Sequence, residues 1–288
     1  MLMTDHSQQP VCRSLLGASG AGFHQLAWWD WGHRQAGRPV VCVHGLTRNA
    51  RDFDALAANL AGMVRVACPD VVGRGRSDWL RNPDLYGYPQ YIADCTALIA
   101  ALGVAEVDWV GTSMGGLIGM LMASLPGSPI RRLVLNDVGP FIPQASLERI
   151  GSYVGADPVF ASVAELEQDM RRTYAAFGDL GEAGWGHLAR HSARQRPDGT
   201  FGYAYDPGIG KAFRTQPVGD VDLWAVWDSI GCEVLVIRGA QSDLLLPDTA
   251  RRMAARPRTR LVEIADVGHA PALLDPAQVG LVREFLLG

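Results

Sequence analysis

Short apolar runs alternate with amphipathic stretches along the first half of the chain. Pro39 to Val43 is a continuous β-branched run that stops abruptly at His44-Gly45, the pattern of a strand buried on both faces. Asp52 to Leu60 sets Phe53, Leu56, Ala57 and Leu60 at helical spacing, and Val64 to Ala67 is a further short strand. Pro69-Asp70 and the turn-rich Gly73-Arg74-Gly75-Arg76-Ser77-Asp78 follow it. Tyr91 to Leu102 predicts an amphipathic helix closed by Gly103, where a left-handed cap is favoured. Val107 to Val110, Gly115 to Ser124 and Arg132 to Asn136 continue the rhythm as strand, helix and strand. Ahead of them, a polar arm leads into an aromatic-rich strand, His24 to Trp31. This alternation predicts an α/β fold with a mostly parallel central sheet and helices on both faces. Ligands of such sheets sit at the carboxyl ends of the strands.

Between about Pro140 and Asp228 the rhythm stops. The pattern there is helical and aromatic, with Tyr153, Phe160, Tyr174, Phe177, Trp185, Phe213, Trp224 and Trp227, and it predicts an inserted helical lid. The sheet resumes with Glu233 to Ile237, a helix opening on Pro247, a strand Arg260 to Ile264, and a last helix capped by Asp275 with Pro276 behind it. Residues 1–139 and 229–288 are therefore expected to form the core domain and residues 140–228 the lid.

Gly111-Thr112-Ser113-Met114-Gly115 fits G-x-S-x-G, and its position between a strand and a helix gives the pattern meaning. A serine at a tight strand-to-helix turn exposes its hydroxyl, and the helix behind it offers free N–H groups and a partial positive charge to an oxyanion. A serine hydroxyl is a weak nucleophile, so a base and a group that orients the base must lie at neighbouring strand ends. Asp243 follows the strand Glu233 to Ile237, and His269 follows Arg260 to Ile264 in Gly268-His269-Ala270-Pro271. Ser113, Asp243 and His269 then occur in the chain order expected for this arrangement. Asp137, at the end of the strand Arg132 to Asn136, is the alternative acid. Arg48 and Asn49 are candidates for substrate contact or for an ordinary helix start.

Over nearly its whole length the sequence resembles the α/β-hydrolase superfamily. The likeness rests on Val43-His44-Gly45-Leu46, Asp70 with Gly73 to Asp78, Gly111 to Gly116, Gly239 to Asp243, and Gly268-His269. The resemblance implies an eight-stranded sheet, a lid between strands six and seven, no cofactor, and an oxyanion hole made by the backbone N–H groups of Leu46 and Met114. His44-Gly45-Leu46-Thr47 stands where some lipases and esterases carry a glycine triplet. The activity implied is hydrolysis of a small-molecule carboxylic ester through an acyl-enzyme. Lactone, thioester or carbon–carbon bond hydrolysis on the same triad, and a non-catalytic small-molecule receptor, are the alternatives. Relatives that open epoxides or cleave haloalkanes use an aspartate where this chain has Ser113.

Charge and composition narrow the partners. The net charge of -4 gives no polyanion signal, and Lys211 is the only lysine among 26 basic residues, so no nucleic-acid partner is expected. Within the lid, Arg171, Arg172, Arg190, Arg194 and Arg196 set a cationic face against the apolar wall that the aromatic residues suggest; the apolar wall is the expectation. His187 and His191 share a helical face but have no acidic neighbour in sequence, so no metal site is expected. Five widely spaced cysteines, Cys12, Cys42, Cys68, Cys95 and Cys232, suggest neither disulfides nor zinc, and Cys42, Cys68 and Cys232 read as small buried apolar residues. MLMTDHSQQP lacks the features of a signal peptide, and Met114 to Pro126 is too short to span a bilayer. A soluble, cytoplasmic protein is the expectation, with the oligomeric state left open.

Overall fold

The computed structural model describes residues 9–33, 35–215 and 219–288; the first part of the N-terminal arm, residues 1–8, on which the signal-peptide reading rests, lies outside them. In chain order the first elements are β1 (Val11–Ser19), β2 (Gly22–Trp31), β3 (Val40–Val43), α1 (Asp54–Leu60), β4 (Val66–Pro69), α2 (Tyr88–Leu102), β5 (Val107–Thr112), α3 (Met114–Ala123) and β6 (Ile130–Asn136). The next stretch holds β7 (Phe141–Ile142), α4 (Gln144–Gly151), α5 (Val163–Thr173), α6 (Gly181–Ser192), β8 (Ala193–Gln195), β9 (Phe201–Tyr203), α7 (Lys211–Thr215), β10 (Val221–Asp222) and α8 (Trp224–Asp228). The chain ends with β11 (Glu233–Gly239), α9 (Pro247–Ala254), β12 (Thr259–Ile264) and α10 (Pro276–Leu287).

Eight strands form one sheet in the order β1-β2-β4-β3-β5-β6-β11-β12. The β1 and β2 hairpin is antiparallel and meets β4 antiparallel, while the strands from β4 to β12 run parallel. Period-two alternation divides the strand side chains between the faces. Val41, Val43, Trp109, Leu133, Leu135, Val234 and Val236 pack into one core. Val40, Cys42, Val110, Val134, Leu235 and Ile237 pack into the other, against α1 and α10 through Leu56, Leu60, Val282 and Leu286. Burial on both faces is the reason these strands read as unbroken apolar runs.

β1 escapes the sequence reading because it is an edge strand. Its residues are mostly exposed, so no buried stripe marks it, and only pairing with β2 along its whole length from Val11↔Asp30 to Ser19↔Gly22 reveals it. Gly103 takes φ 72°, the left-handed cap expected of it. Most of the aromatic residues of segment 140–228 pack within the fold, with Phe160, Tyr174, Trp185 and Trp227 buried. All five cysteines are free, and Cys232 is half-buried rather than buried. Among the described residues no helix is long and apolar enough to cross a membrane.

Candidate active site

Ser113 stands between β5 and α3 with φ 52° and ψ -115°, a left-handed conformation costly for a residue with a Cβ. Its surroundings hold it there. The Ser113 amide donates to Asn136 O at 3.0 Å, and a Cβ on Gly111 or Gly115 would overlap Gly115 O or Val43 O respectively. The spacing of glycines around the serine is therefore a packing requirement.

Nε2 of His269 lies 2.9 Å from Ser113 Oγ, and Nδ1 of the same ring lies 2.6 Å from Asp137 Oδ2. Asp137 is fully buried at the end of β6. Its Oδ1 accepts the Gly239 amide at 2.8 Å and its Oδ2 the Ser242 hydroxyl at 2.6 Å. Asp243, expected to face the histidine, does not. Its carboxylate is about half exposed and pairs with Arg149 at 2.5 Å and 3.0 Å, while its carbonyl accepts Ser146 Oγ at 2.7 Å. The turn after β11 sends Ser242 inward, where its hydroxyl also accepts the Leu244 and Leu245 amides at 3.2 and 3.1 Å. The next side chain is thereby turned outward.

Leu46 and Met114 both border the serine's cavity. Met114 opens α3, so its N–H has no intrahelical acceptor, and the Leu46 amide donates to no other described residue. Two residues that the sequence motifs contain but give no role, His44 and Arg74, fix the Leu46 loop. The His44 ring accepts the Val71 amide on Nε2 at 2.9 Å and donates from Nδ1 to Gly45 O at 2.7 Å; burial, chiefly, lowers its pKa to about 3 and keeps it neutral. Arg74, fully buried, donates to Leu46 O at 2.9 Å and to Tyr91 Oη at 3.0 Å. Asn136 ties the serine turn to the histidine loop, donating to Thr112 Oγ1 at 3.0 Å and Pro271 O at 2.8 Å. A polar residue closing a buried strand was the only sequence signal for it.

Ser113 opens into a cavity of about 420 Å³. Its walls include Tyr88, Leu117, Ile150, Phe213, Leu223 and Leu244, and no charged side chain of the described residues lines it. The apolar expectation holds for this space, but aliphatic residues supply most of the wall and Phe213 is the one aromatic residue that segment 140–228 contributes to it. Arg48 and Asn49 do not line it. Arg48 pairs with Asp52 at 2.7 Å and donates to Ser192 Oγ at 3.0 Å. Asn49 caps the short helical turn at Ala50–Phe53 and donates to His191 O at 3.1 Å. A histidine paired with a fully buried aspartate, its other ring nitrogen on a serine hydroxyl, is an arrangement that can raise that hydroxyl to a working nucleophile.

Fold and site together define a class. The family model described as alpha/beta hydrolase family matches residues 40–280, and the chain belongs to that family. Over 279 residues it is 46% identical to a 3-hydroxybutyrate-oligomer hydrolase of Cupriavidus necator, covering 94% of this chain and 95% of that relative. A putative hydrolase from Rickettsia typhi shares its structure with a TM-score of 0.90 at 32% identity, over 97% of this chain and 99% of that one. An alpha/beta hydrolase from Novosphingobium aromaticivorans gives a TM-score of 0.87 at 34% identity, over 97% and 98% of the two chains.

Proposed function

We propose that this protein is a serine hydrolase of short linear oligoesters of hydroxyalkanoic acids, with Ser113 as nucleophile, His269 as general base and Asp137 as the carboxylate that orients the base. The observation that carries the reading is the unbroken chain from Ser113 Oγ through both ring nitrogens of His269 to a fully buried carboxylate, at 2.9 and 2.6 Å. The substrate class is supported by the 46% identity to a relative named for 3-hydroxybutyrate oligomers and by the uncharged cavity beside the serine.

In this mechanism Ser113 Oγ attacks the ester carbonyl as its proton passes to His269 Nε2. The developing oxyanion rests on the Leu46 and Met114 amides, each contributing roughly 3 to 4 kcal/mol of transition-state stabilisation. Collapse expels the alcohol end of the oligomer, which leaves with the proton from His269. Water, deprotonated by the same nitrogen, then attacks the acyl-enzyme and frees the acid. Asp137 stays ionised, holding the ring in the tautomer that leaves Nε2 free to accept. Segment 140–228 acts as the lid, covering the acyl cavity with side chains from β7, α4, α7 and β10. The five free thiols accord with a reducing cytoplasm.

Hydrolysis of 3-hydroxybutyrate dimer and trimer, set beside simple esters, lactones and acyl thioesters, tests the reading. Oligoester turnover is expected, with kcat falling by as much as about a millionfold in Ser113→Ala and a fluorophosphonate probe labelling the wild type at Ser113. Preferred turnover of lactones or thioesters would replace the substrate class. Undiminished activity in Ser113→Ala would overturn the mechanism.

A further inference from the structure

A second cavity, of about 240 Å³, shares no lining residue with the one beside Ser113. It lies in the seam between the core and segment 140–228, with Trp29, Arg51 and Arg76 on one side and Arg190, His191 and Arg194 on the other. The charges there are unequal. Arg51 is spent on Asp54, with Nε 2.8 Å from each carboxylate oxygen, but Arg76, Arg190 and Arg194 have no carboxylate partner among the described residues. Asp70 also borders the space, and its two oxygens accept the Ala50 and Arg76 amides at 2.8 and 3.0 Å.

Three of the guanidinium groups, those of Arg51, Arg76 and Arg194, rest on aromatic rings. Arg51 and Arg76 lie over the Trp29 ring at 4.3 and 5.1 Å, and Arg194 lies over Trp79 at 4.8 Å. Nε of Arg194 is shut off from solvent and has no acceptor, an N–H whose burial is costly until an acceptor arrives. We propose that this cavity is a binding site for a small oxyanion, a carboxylate or a phosphate, gripped by Arg76, Arg190 and Arg194 across the seam. Charge-assisted, fork-shaped donors converging from two sides suit such a planar or tetrahedral anion.

A cation is the rival occupant. His187, His191 and Asp54 place ligand atoms within 4.8 Å of one another, so the fold supplies the acidic partner that the sequence around the two histidines lacks. The field decides against it. Arg51, Arg76 and Arg190 all set positive charge against His191, and the carboxylate of Asp54 is already taken up by Arg51, so the local charge repels a dication and favours an anion.

Thermal shift and calorimetric titration of the whole protein with inorganic phosphate and with 3-hydroxybutyrate, against sodium chloride at matched ionic strength, test the proposal. Stabilisation by either anion beyond that of chloride is expected, and the stronger of the two identifies the ligand class. Arg190→Gln and Arg76→Gln, both at exposed positions, should each weaken binding about tenfold while leaving hydrolysis of a simple ester unchanged. Equal effects of chloride and the oxyanions, or full affinity in both variants, would overturn it. So would stabilisation by zinc alone that is lost in His187→Ala.

Discussion

Oδ2 of Asp137 meets Nδ1 of His269 at 2.6 Å across 132 residues of chain, and the same oxygen takes the Ser242 hydroxyl at 2.6 Å. The residue after that serine, Asp243, turns to Arg149 on the surface. The two carboxylates therefore answer differently to the same change. Asp137→Asn should lower kcat on the order of ten-thousandfold by leaving the imidazole in the wrong tautomer. Asp243→Asn removes an exposed ion pair, worth at most about 1 kcal/mol, and should change kcat by less than about fivefold. Kinetics on folded protein, checked by circular dichroism, compares them; the reverse ranking would return the acid's role to Asp243.

How much of this was legible in the sequence depends on what each feature buries. β3, β5, β6 and β11 announce themselves because both faces are covered, and the Ser113 turn because glycines must flank it. β1 stays silent because its side chains are exposed. Asp137 and Asp243 both follow strands, and spacing alone does not separate them. The difference arises from pairing: β11 lies beside β6 with Ile237 opposite Asn136, Asp137 donates its amide to Ile237 O at 2.8 Å, and its φ of 57° accompanies a carboxylate turned under the histidine loop. His44 and Arg74 act on the Leu46 loop through tertiary hydrogen bonds, and no local pattern encodes those.

The glycine requirement at the serine turn is testable on stability. A methyl group at Gly115 would enter the space of Val43 O, whereas one at Gly62 meets nothing within 4 Å. Gly115→Ala should destabilise by about 3 kcal/mol or more, and Gly62→Ala should be neutral or slightly stabilising. Denaturant titrations of both variants make the comparison; equal midpoints would show that α3 and β3 are not in the close contact described.

His44 gives the protein a defined acid sensitivity. In the unfolded chain it takes a proton near pH 6.5, but buried it resists until about pH 3, so between those values the unfolded state binds more protons. Its contribution is complete above pH 6.5 and is lost as pH falls, about 5 kcal/mol in all at the order of magnitude. Asp70 works in the opposite sense, because burial raises its pKa to about 6 and the folded state then takes its proton first. Subtracting the His44→Gln profile from the wild type isolates the histidine. The slope of unfolding free energy against pH between 4 and 6 should be smaller in the variant by about 1.4 kcal/mol per unit; equal slopes would mean that His44 is not held neutral.

The cavity beside Ser113 sets the polarity of the substrate. No charged side chain of the described residues lines its walls, so an acyl group that brings a carboxylate into it loses hydration without gaining a partner, at a cost of several kcal/mol. In a linear hydroxyacid oligomer, the acyl side of every ester bond carries the neutral hydroxyl end and the alcohol side carries the free carboxylate. On the proposed oligoester substrate, the apolar cavity would therefore take the hydroxyl end, and the carboxylate end would depart as the leaving alcohol. A butyrate ester should exceed the hemisuccinate ester of the same alcohol by about a hundredfold or more in kcat/KM, with little dependence on salt. For a 3-hydroxybutyrate trimer, methylating the carboxyl end should change the rate little, while succinylating the hydroxyl end should suppress cleavage of the bond nearest it. A salt-sensitive preference for the hemisuccinate or the succinylated trimer would reverse the assignment and put a cationic group at the acyl end of the site.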